Sequence, residues 1–469
     1  MREVSSLNFV ADAGKSLRNE SLQRAMGKFK ANITWARKAM VDQVDDFEER
    51  RERAAALRDG ALDRWDALLE EFEVNATRCG ATVHWAATEE DARRIAVGIA
   101  KEEGCRKAVK VKSMASEEIL LNDALEEAGV EALETDLGEY IVQLSRDRPS
   151  HIIAPIIHKT REEISELFAD KHSSDYKSDP EDLTREARAQ LRPHFLSADM
   201  GISGANFLLA DIGAGVIVTN EGNGRLSTTL PRVHVTIAGI DKILPSASDL
   251  PLMLSLLAPS ATGQRMSAYV SVNCGPRREG DSAGPESHHF ILLDAGRSEI
   301  LGTAYRDMLR CIRCGACMNH CPVYHKIGGH PYGSPYPGPM GSVLTPLLAG
   351  LERNPDPPHA ATMCGACEVV CPVKIPLPDL MRRLREDCAS RNIGQGRMAR
   401  LLFALWGWAA MRPWAYSAAN RIAAKVLGAL GKDGYVRSLP AAGGWFGLRD
   451  MPVRGDGAPW LSARKEGPR

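Results

Sequence analysis

The sequence predicts three parts in succession: an α/β domain, a small helical domain rich in cysteine, and a short helical C-terminal region. Three observations predict this. Apolar, β-branched runs of strand length alternate with helical stretches from about residue 76 to 300. Seven of the eleven cysteines fall in two short runs between residues 311 and 371. Between Asp387 and Asp433 no acidic residue occurs, and a strongly apolar, tryptophan-bearing block sits there among basic residues.

A chain of 469 residues is long enough for two or three domains and a sizeable core. Its formal net charge of −1 argues against nucleic acid as the principal partner. The opening residues MREVSSLNFVADAGKS lack the apolar core of a secretory signal. No apolar run reaches the roughly eighteen residues of a membrane span. Clustered free thiols suit a reducing compartment. The cytoplasm is therefore expected, with the inner face of a membrane as a further option.

Residues 1–75 read as charged helices. The dense run Asp45 to Arg53 reads as a solvated helix face, and Trp35 and Trp65 as apolar anchors. In residues 76–300 the strand-like runs are TVHWAA (82–87), AVKVKS (108–113), YIVQL (140–144), HIIAPII (151–157), FLLADIGAGVIVTN (207–220), RVHVTIAGI (232–240) and HHFILLDA (288–295). Helical stretches at 89–103 and 115–129 lie between them. This alternation predicts a largely parallel sheet. SADMGISGAN (197–206) reads as a loop of Gly and small polar residues.

Residues 301–390 hold the two cysteine runs: Cys311-x2-Cys314-x2-Cys317-x3-Cys321-Pro322 and Cys364-x2-Cys367-x3-Cys371-Pro372. One tight loop of this spacing places three thiolates on one iron–sulfur cube. The fourth cysteine, three residues on and followed by proline, ligates the other cluster in two-cluster ferredoxins. On that logic Cys311, Cys314, Cys317 and Cys371 hold one cluster, and Cys321, Cys364 and Cys367 hold a second. The region thus reads as a ferredoxin-type domain with two [4Fe–4S] clusters. Gly315 and Gly365 let the backbone approach the sulfides, and Pro322 and Pro372 fix the exit of the chain. The position matching Cys311 in the second run is Ala361. The second cluster therefore has three evident thiolates. It is either [3Fe–4S], or [4Fe–4S] with water, a partner or a non-cysteine ligand on its fourth iron. His359 and Cys388 are candidate substitutes. Structural zinc is the competing reading, but a run of four cysteines ending in Cys-Pro gives zinc more ligands than it uses.

Between the runs, GGHPYGSPYPGPMG (328–341) is too rich in Pro and Gly for helix or central strand, and reads as a lid, a docking surface or coil. From 391 to 469 the block LLFALWGWAAM (401–411), with Trp414, Arg397, Arg400, Arg412, Arg421 and Lys425, reads as a basic amphipathic segment. Residues 397–425 would contact a membrane surface or a partner, or pack on the core. Residues from 437 on read as a loose tail.

The cysteine runs, the GGHPYGSPYPGPMG link and VTNEGNGRLSTTLPRVHVTIAGIDKILPS (218–246) resemble the lactate utilization protein B family over roughly residues 10 to 435. The resemblance implies an N-terminal LUD domain similar to the NagB/RpiA/CoA-transferase group, then a double-cluster ferredoxin-type module. It also implies the same seven cysteines as ligands, with three in the second run. By the same resemblance the chain is the iron–sulfur subunit of a system that oxidises L-lactate to pyruvate. Its implied partners are a cysteine-rich CCG-domain subunit and a second LUD-domain subunit, with electrons passing to an acceptor not named by the sequence.

Chemistry within the α/β domain is the alternative: a CoA-transferase or isomerase-type enzyme with an appended ferredoxin module. Asp211-x-Gly213-Ala214-Gly215 leads to Thr219-Asn220-Glu221-Gly222-Asn223-Gly224-Arg225. Gly-rich turns at strand ends are where open α/β sheets bind ligands. Glu221 is the candidate base or nucleophile, and Arg225 or Arg232 the candidate carboxylate clamp. A tight turn has the same composition. His288 and His289 point to opposite faces of one strand and do not form a ligand pair. Cys79, Cys105 and Cys274 read as ordinary buried thiols.

Overall fold

The computed structural model describes residues 6–394, 396–439 and 450–452. Residues up to Ile393 form one compact unit, and those from Gly394 form another.

The first unit opens with four helices: α1 (Phe9–Arg18), α2 (Glu20–Val41), α3 (Phe47–Asp63) and α4 (Trp65–Arg78). Its strands are β1 (Thr82–Ala86), β2 (Lys107–Lys110), β3 (Glu131–Glu134), β4 (Met200–Ser203), β5 (Phe207–Leu209), β6 (Ala214–Thr219), β7 (Val233–Gly239), β8 (Ile243–Leu244), β9 (Tyr269–Asn273) and β10 (Ser287–Leu293). Six of them form a parallel sheet in the order β1-β10-β7-β4-β2-β3. The other four form a mixed sheet in the order β8-β5-β6-β9. The central strand β7 is buried throughout, as a parallel strand covered on both faces must be.

Five of the seven strand-like runs are strands, and two are not. YIVQL belongs to the helix Leu137–Leu144, started by Asp136, whose side chain accepts from the Gly138 N–H. Its residues Tyr140 to Val142 are all buried, and a short buried run carries no periodicity to separate helix from strand. HIIAPII is a turn: the His151 ring accepts from the N–H groups of Ile153 and Ala154 at 2.9 and 3.2 Å, and Pro155 removes a ladder donor. The loop reading of SADMGISGAN fails the other way, since it contains the central strand β4. Gly201 is there for a close approach: a Cβ would come within 1.7 Å of the Ser227 carbonyl oxygen. The expected helix at 115–129 is two helices, Met114–Glu118 and Leu121–Glu127, parted at Leu120 with φ 51°.

The histidines of β10 do diverge. His288 stacks on His234 inside the sheet, while His289 meets His84 at 3.1 Å on the other face. Trp65 is buried and donates to the Ile240 carbonyl at 2.8 Å, but Trp35 is 72% exposed and anchors nothing.

The run Asp45 to Arg53 is mostly a solvated face, with Arg51 its buried charge, and the following turns of α3 bury more. Arg58 is fully buried and donates to the carbonyls of Ile243 and Leu309, at 2.6 and 3.0 Å, and to that of Asp241. Arg51 donates to the Cys371 carbonyl at 2.9 Å. Asp59 pairs with Arg310 at 2.6 Å, and Glu48 with Lys374 at 2.7 Å. One helix therefore grips both cysteine runs and the mixed sheet. The Pro/Gly-rich link is also interior: Tyr332, Tyr336 and Met340 are buried, and a helix, Gly338–Ala349, starts inside it.

In the second unit, helices Arg397–Ala410 and Pro413–Leu430 leave Leu401, Phe403, Trp406, Trp414, Ile422 and Val426 exposed. Among the described residues no helix is long and apolar enough to cross a membrane. Of the loose tail expected from 437 on, 440–449 and 453–469 lie outside the described residues, while Met451–Pro452 pair antiparallel with Tyr435–Val436.

Replacing Arg58 by Leu leaves three buried carbonyls without their donor, and should cost roughly 3–5 kcal/mol. The check is the denaturation midpoint of the first unit's transition, which should fall at unchanged slope.

Candidate functional site

The two cysteine runs build the same local shape twice. Arg313 and Met363 precede Cys314 and Cys364 and both take φ 58°. Gly315 and Gly365 follow those cysteines, at φ 76° and 79°, and each starts a one-turn helix. Successive left-handed residues turn the chain sharply enough to aim thiols at Cys-x2-Cys spacing to one side. Gly315 is also fitted against the turn at residues 151–157, where a Cβ would come within 2.9 Å of Ile153.

The seven thiols fall into two adjoining groups, with Cys317 of one also a neighbour of Cys367 of the other. Cys311, Cys314, Cys317 and Cys371 line one cavity, closed by Met308, Met340, Val373 and Leu377. Cys321, Cys364 and Cys367 are electrostatic neighbours of one another. Backbone N–H groups point at the sulfurs: that of Ile375 at Cys371 (3.4 Å), and that of Tyr324 at Cys321 (3.5 Å). Burial pushes the thiols of Cys314 and Cys367 up to about 12 and that of Cys371 up to about 11. Such thiols are poor nucleophiles, and become thiolates when a cationic metal core displaces the protons.

The geometry fits clusters and not zinc. A tetrahedral zinc with Zn–S near 2.3 Å holds its sulfurs about 3.8 Å apart. Among the described residues no three cysteine thiols lie within 4.8 Å of one another; the group that does converge is Asp147, His158 and His330. That group is already bonded internally, with Lys159 on Asp147 at 2.9 Å and His330 on the Arg148 carbonyl at 2.8 Å. An iron–sulfur cube spreads its thiolates farther apart than one ion does, which fits the wider spacing of these thiols.

Neither candidate for the missing fourth ligand joins the second set. His359 is exposed on a 3₁₀ turn, with Arg385 and Asp356 as its neighbours. Cys388 is buried on the helix Leu377–Ser390, and its strongest electrostatic neighbours are Asp387, Arg391 and Asp356. Cys364 is exposed, so the second set opens to solvent on its side.

Charge is distributed unequally. Around the first set stand Arg51 on the Cys371 carbonyl, Arg313 and Lys242 on the Cys311 carbonyl at 3.2 and 3.4 Å, and Arg37, which donates to Val370 at 3.2 Å and faces Cys314 and Cys371. Sequence reasoning missed Arg37, Arg51 and Lys242, because their contacts join residues far apart in the chain. Only Arg313, inside the motif, was within its reach.

A cleft of about 400 Å³ adjoins the first set. Its floor is the C-terminal ends of β2, β4 and β7, continued by Val111–Ser113, Gly204–Asn206 and Ile237–Gly239. This is where open α/β sheets bind ligands. Asp136 and Glu221 lie toward one part of its wall; Lys242, Arg313 and Cys314 also line it. Partial burial and Asp136 push the Glu221 carboxyl up. The other sequence candidates are elsewhere: Arg225 stacks over Tyr269 at 4.8 Å, and Arg232 pairs with Glu103 at 3.1 Å.

Arg37→Met removes a positive charge from the first set alone. The midpoint potential of the centre held there should become more negative by on the order of tens of millivolts. Potentiometric titration followed by electron paramagnetic resonance (EPR) checks this, with the centre at Cys321, Cys364 and Cys367 unmoved.

The sequence matches two family models: LUD domain over residues 69–293, and 4Fe-4S dicluster domain over residues 307–375. Lactate utilization protein B of Oceanobacillus iheyensis is 38% identical over 99% of this chain and 98% of its own. Lactate utilization protein B of Shouchella clausii is 40% identical over 99% of each. The uncharacterized electron transport protein YkgF of Escherichia coli is 43% identical over 83% of this chain and 82% of its own. With a LUD-type α/β domain joined to an iron–sulfur dicluster domain, and near-full-length identity at this level, the chain belongs to the lactate utilization protein B family.

Proposed function

We propose that this chain is the electron-transfer subunit of a multi-subunit system that oxidises L-lactate to pyruvate. The observation that carries the reading is the grouping of seven thiols into four that line one cavity and three that neighbour one another, with Cys364 of the second group exposed. Cys311, Cys314, Cys317 and Cys371 would hold a [4Fe–4S] cluster. Cys321, Cys364 and Cys367 would hold a second, whose fourth iron faces the open side or is absent, as in [3Fe–4S]. Such clusters store and pass single electrons.

The chain's own residues set the terms of that transfer. Arg37, Arg51, Arg313 and Lys242 make the first seat the more electropositive, favouring the reduced state there. Met308, Met340, Val373 and Leu377 exclude water from it. Exposed Cys364 marks the side where a redox partner approaches most closely. The partners in this reading are the CCG-domain subunit and the second LUD-domain subunit, with an acceptor downstream. The free thiols support a cytoplasmic setting. The exposed apolar side chains of residues 397–425, with Arg421 and Lys425 between them, support contact at a membrane surface.

Anaerobically purified protein should carry roughly seven to eight irons, with matching sulfide. Its EPR signal should change when L-lactate is added together with the co-expressed partners. Intact clusters that ignore L-lactate would remove the substrate assignment.

The position of Glu221 on the cleft favours one second reading, catalysis by the α/β domain itself. On the electron-transfer reading, Glu221→Gln leaves the clusters and their reduction by partners intact. Loss of all turnover in purified Glu221→Gln protein with full iron content would favour the second.

A further inference from the structure

The second unit leaves uncovered what a folded chain normally buries. On the helix Arg397–Ala410, Met398, Leu402 and Trp406 form one i, i+4 row, and Leu401, Leu405 and Trp408 form the row beside it. These six residues are 47–68% exposed. On the helix Pro413–Leu430, Ile422, Val426 and Leu430 form a third row, also exposed. Arg421 and Lys425 run alongside that row at the same spacing, and both are exposed. Contacts at the bend join the two helices. Arg412 stacks over the Trp408 ring at 4.5 Å and donates to the Trp408 carbonyl at 3.0 Å. Trp414 meets Trp408 edge-on, with ring centroids 6.0 Å apart.

Contiguous apolar rows of this size call for a cover, and three observations select a lipid surface. From Cys388 to Lys432 the sequence has seven basic residues and no acidic one. A protein-binding patch sets its apolar centre in a polar rim, whereas an anionic bilayer attracts one sign of charge. Trp406, Trp408 and Trp414 each combine a large apolar ring with a polar N–H, and such side chains collect where acyl chains meet headgroups. Neither helix is long and apolar enough to cross a bilayer. An apolar face flanked by basic residues on helices of this kind lies along the boundary and not through it.

We propose that these two helices are a monotopic anchor for an anionic lipid bilayer. The apolar rows sink into the acyl-chain boundary, and Arg421 and Lys425 meet lipid phosphates. The anchor rests on the membrane contact read above for residues 397–425, and adds to it the charge of the lipid and the burial of the apolar rows. It is independent of the substrate.

The test is flotation of the cluster-loaded full chain with vesicles of equal parts phosphatidylglycerol and phosphatidylcholine, and with vesicles of phosphatidylcholine alone. Two double variants accompany it. Leu402→Glu with Trp406→Glu breaks an apolar row, and Arg421→Glu with Lys425→Glu reverses the flanking charge. Expected is flotation with the anionic vesicles, at least tenfold weaker on phosphatidylcholine alone and in both variants, with iron and sulfide content unchanged. Lipids brominated in the acyl chain should quench tryptophan emission, and Trp406→Phe should reduce that quenching. Equal flotation on both vesicles would uphold the membrane contact and overturn the anionic recognition. Flotation without quenching would overturn the burial of the apolar rows. No flotation on either vesicle would overturn the anchor and the membrane contact together, and leave the electron-transfer reading standing. Self-association abolished by Leu402→Glu with Trp406→Glu would then assign the face to a second copy of this chain.

Discussion

The buried carboxylate of Asp241 is the junction on which the arrangement depends. It lies just past the end of β7, 1% exposed, and accepts from Arg297 and Arg313. Burial alone would raise its pKa, but Arg313, Lys242, Arg297 and Arg58 hold the carboxyl well below the usual range. Each of these groups comes from a different part of the chain. Arg313 belongs to the first cysteine loop, Arg58 to α3, and Arg297 continues to Glu118, which also receives the Tyr336 hydroxyl at 2.5 Å. A buried network of this kind contributes little net stability compared with a well-packed apolar core. What it contributes is position: a sheet end, a cysteine loop, a strut helix and the Pro/Gly-rich link meet at one charge.

The second consequence is electrostatic. The arginines and lysine that fix the first cysteine loop also surround its thiols, so the same groups that place the site set its field. Among the described residues the second set has no comparable cationic shell, and its Cys364 is open to solvent. Two seats in one short module are thereby made unequal without any difference in their ligating atom type. Net charge, hydrogen bonds to sulfur and exposure are the levers that separate cluster potentials, and charge and exposure differ between these seats.

The cysteine motif was fully legible in sequence because its spacing is set by the size of a cube and is local. The α/β alternation was legible where β-branched runs were flanked by helices with clear periodicity. It failed where a buried segment lost its period, as at Tyr140–Leu144, and where glycine concealed a strand, as at Met200–Ser203. Gly201 is there for helix contact rather than for a loop, and composition alone does not separate the two. The clamp role of α3 was hidden for another reason. Arg51 looks like a member of the solvated charge run, and Arg58 like one more charge on the same helix, until their distant acceptors, Cys371, Ile243 and Leu309, are brought beneath them. Of the cleft, the Gly-rich turn with Thr219, Asn220, Glu221 and Asn223 was visible beforehand, as was Cys314; Lys242 lay inside the 218–246 segment without being singled out.

The central claim is that the two runs exchange their last cysteine. Single Cys→Ser substitutions at 311, 371, 321 and 364, each purified anaerobically, would be compared by Mössbauer and EPR spectroscopy. Cys311→Ser and Cys371→Ser should alter the same cluster, and Cys321→Ser and Cys364→Ser the other. Grouping of Cys371→Ser with Cys364→Ser, or one altered spectrum common to all four, would contradict the account.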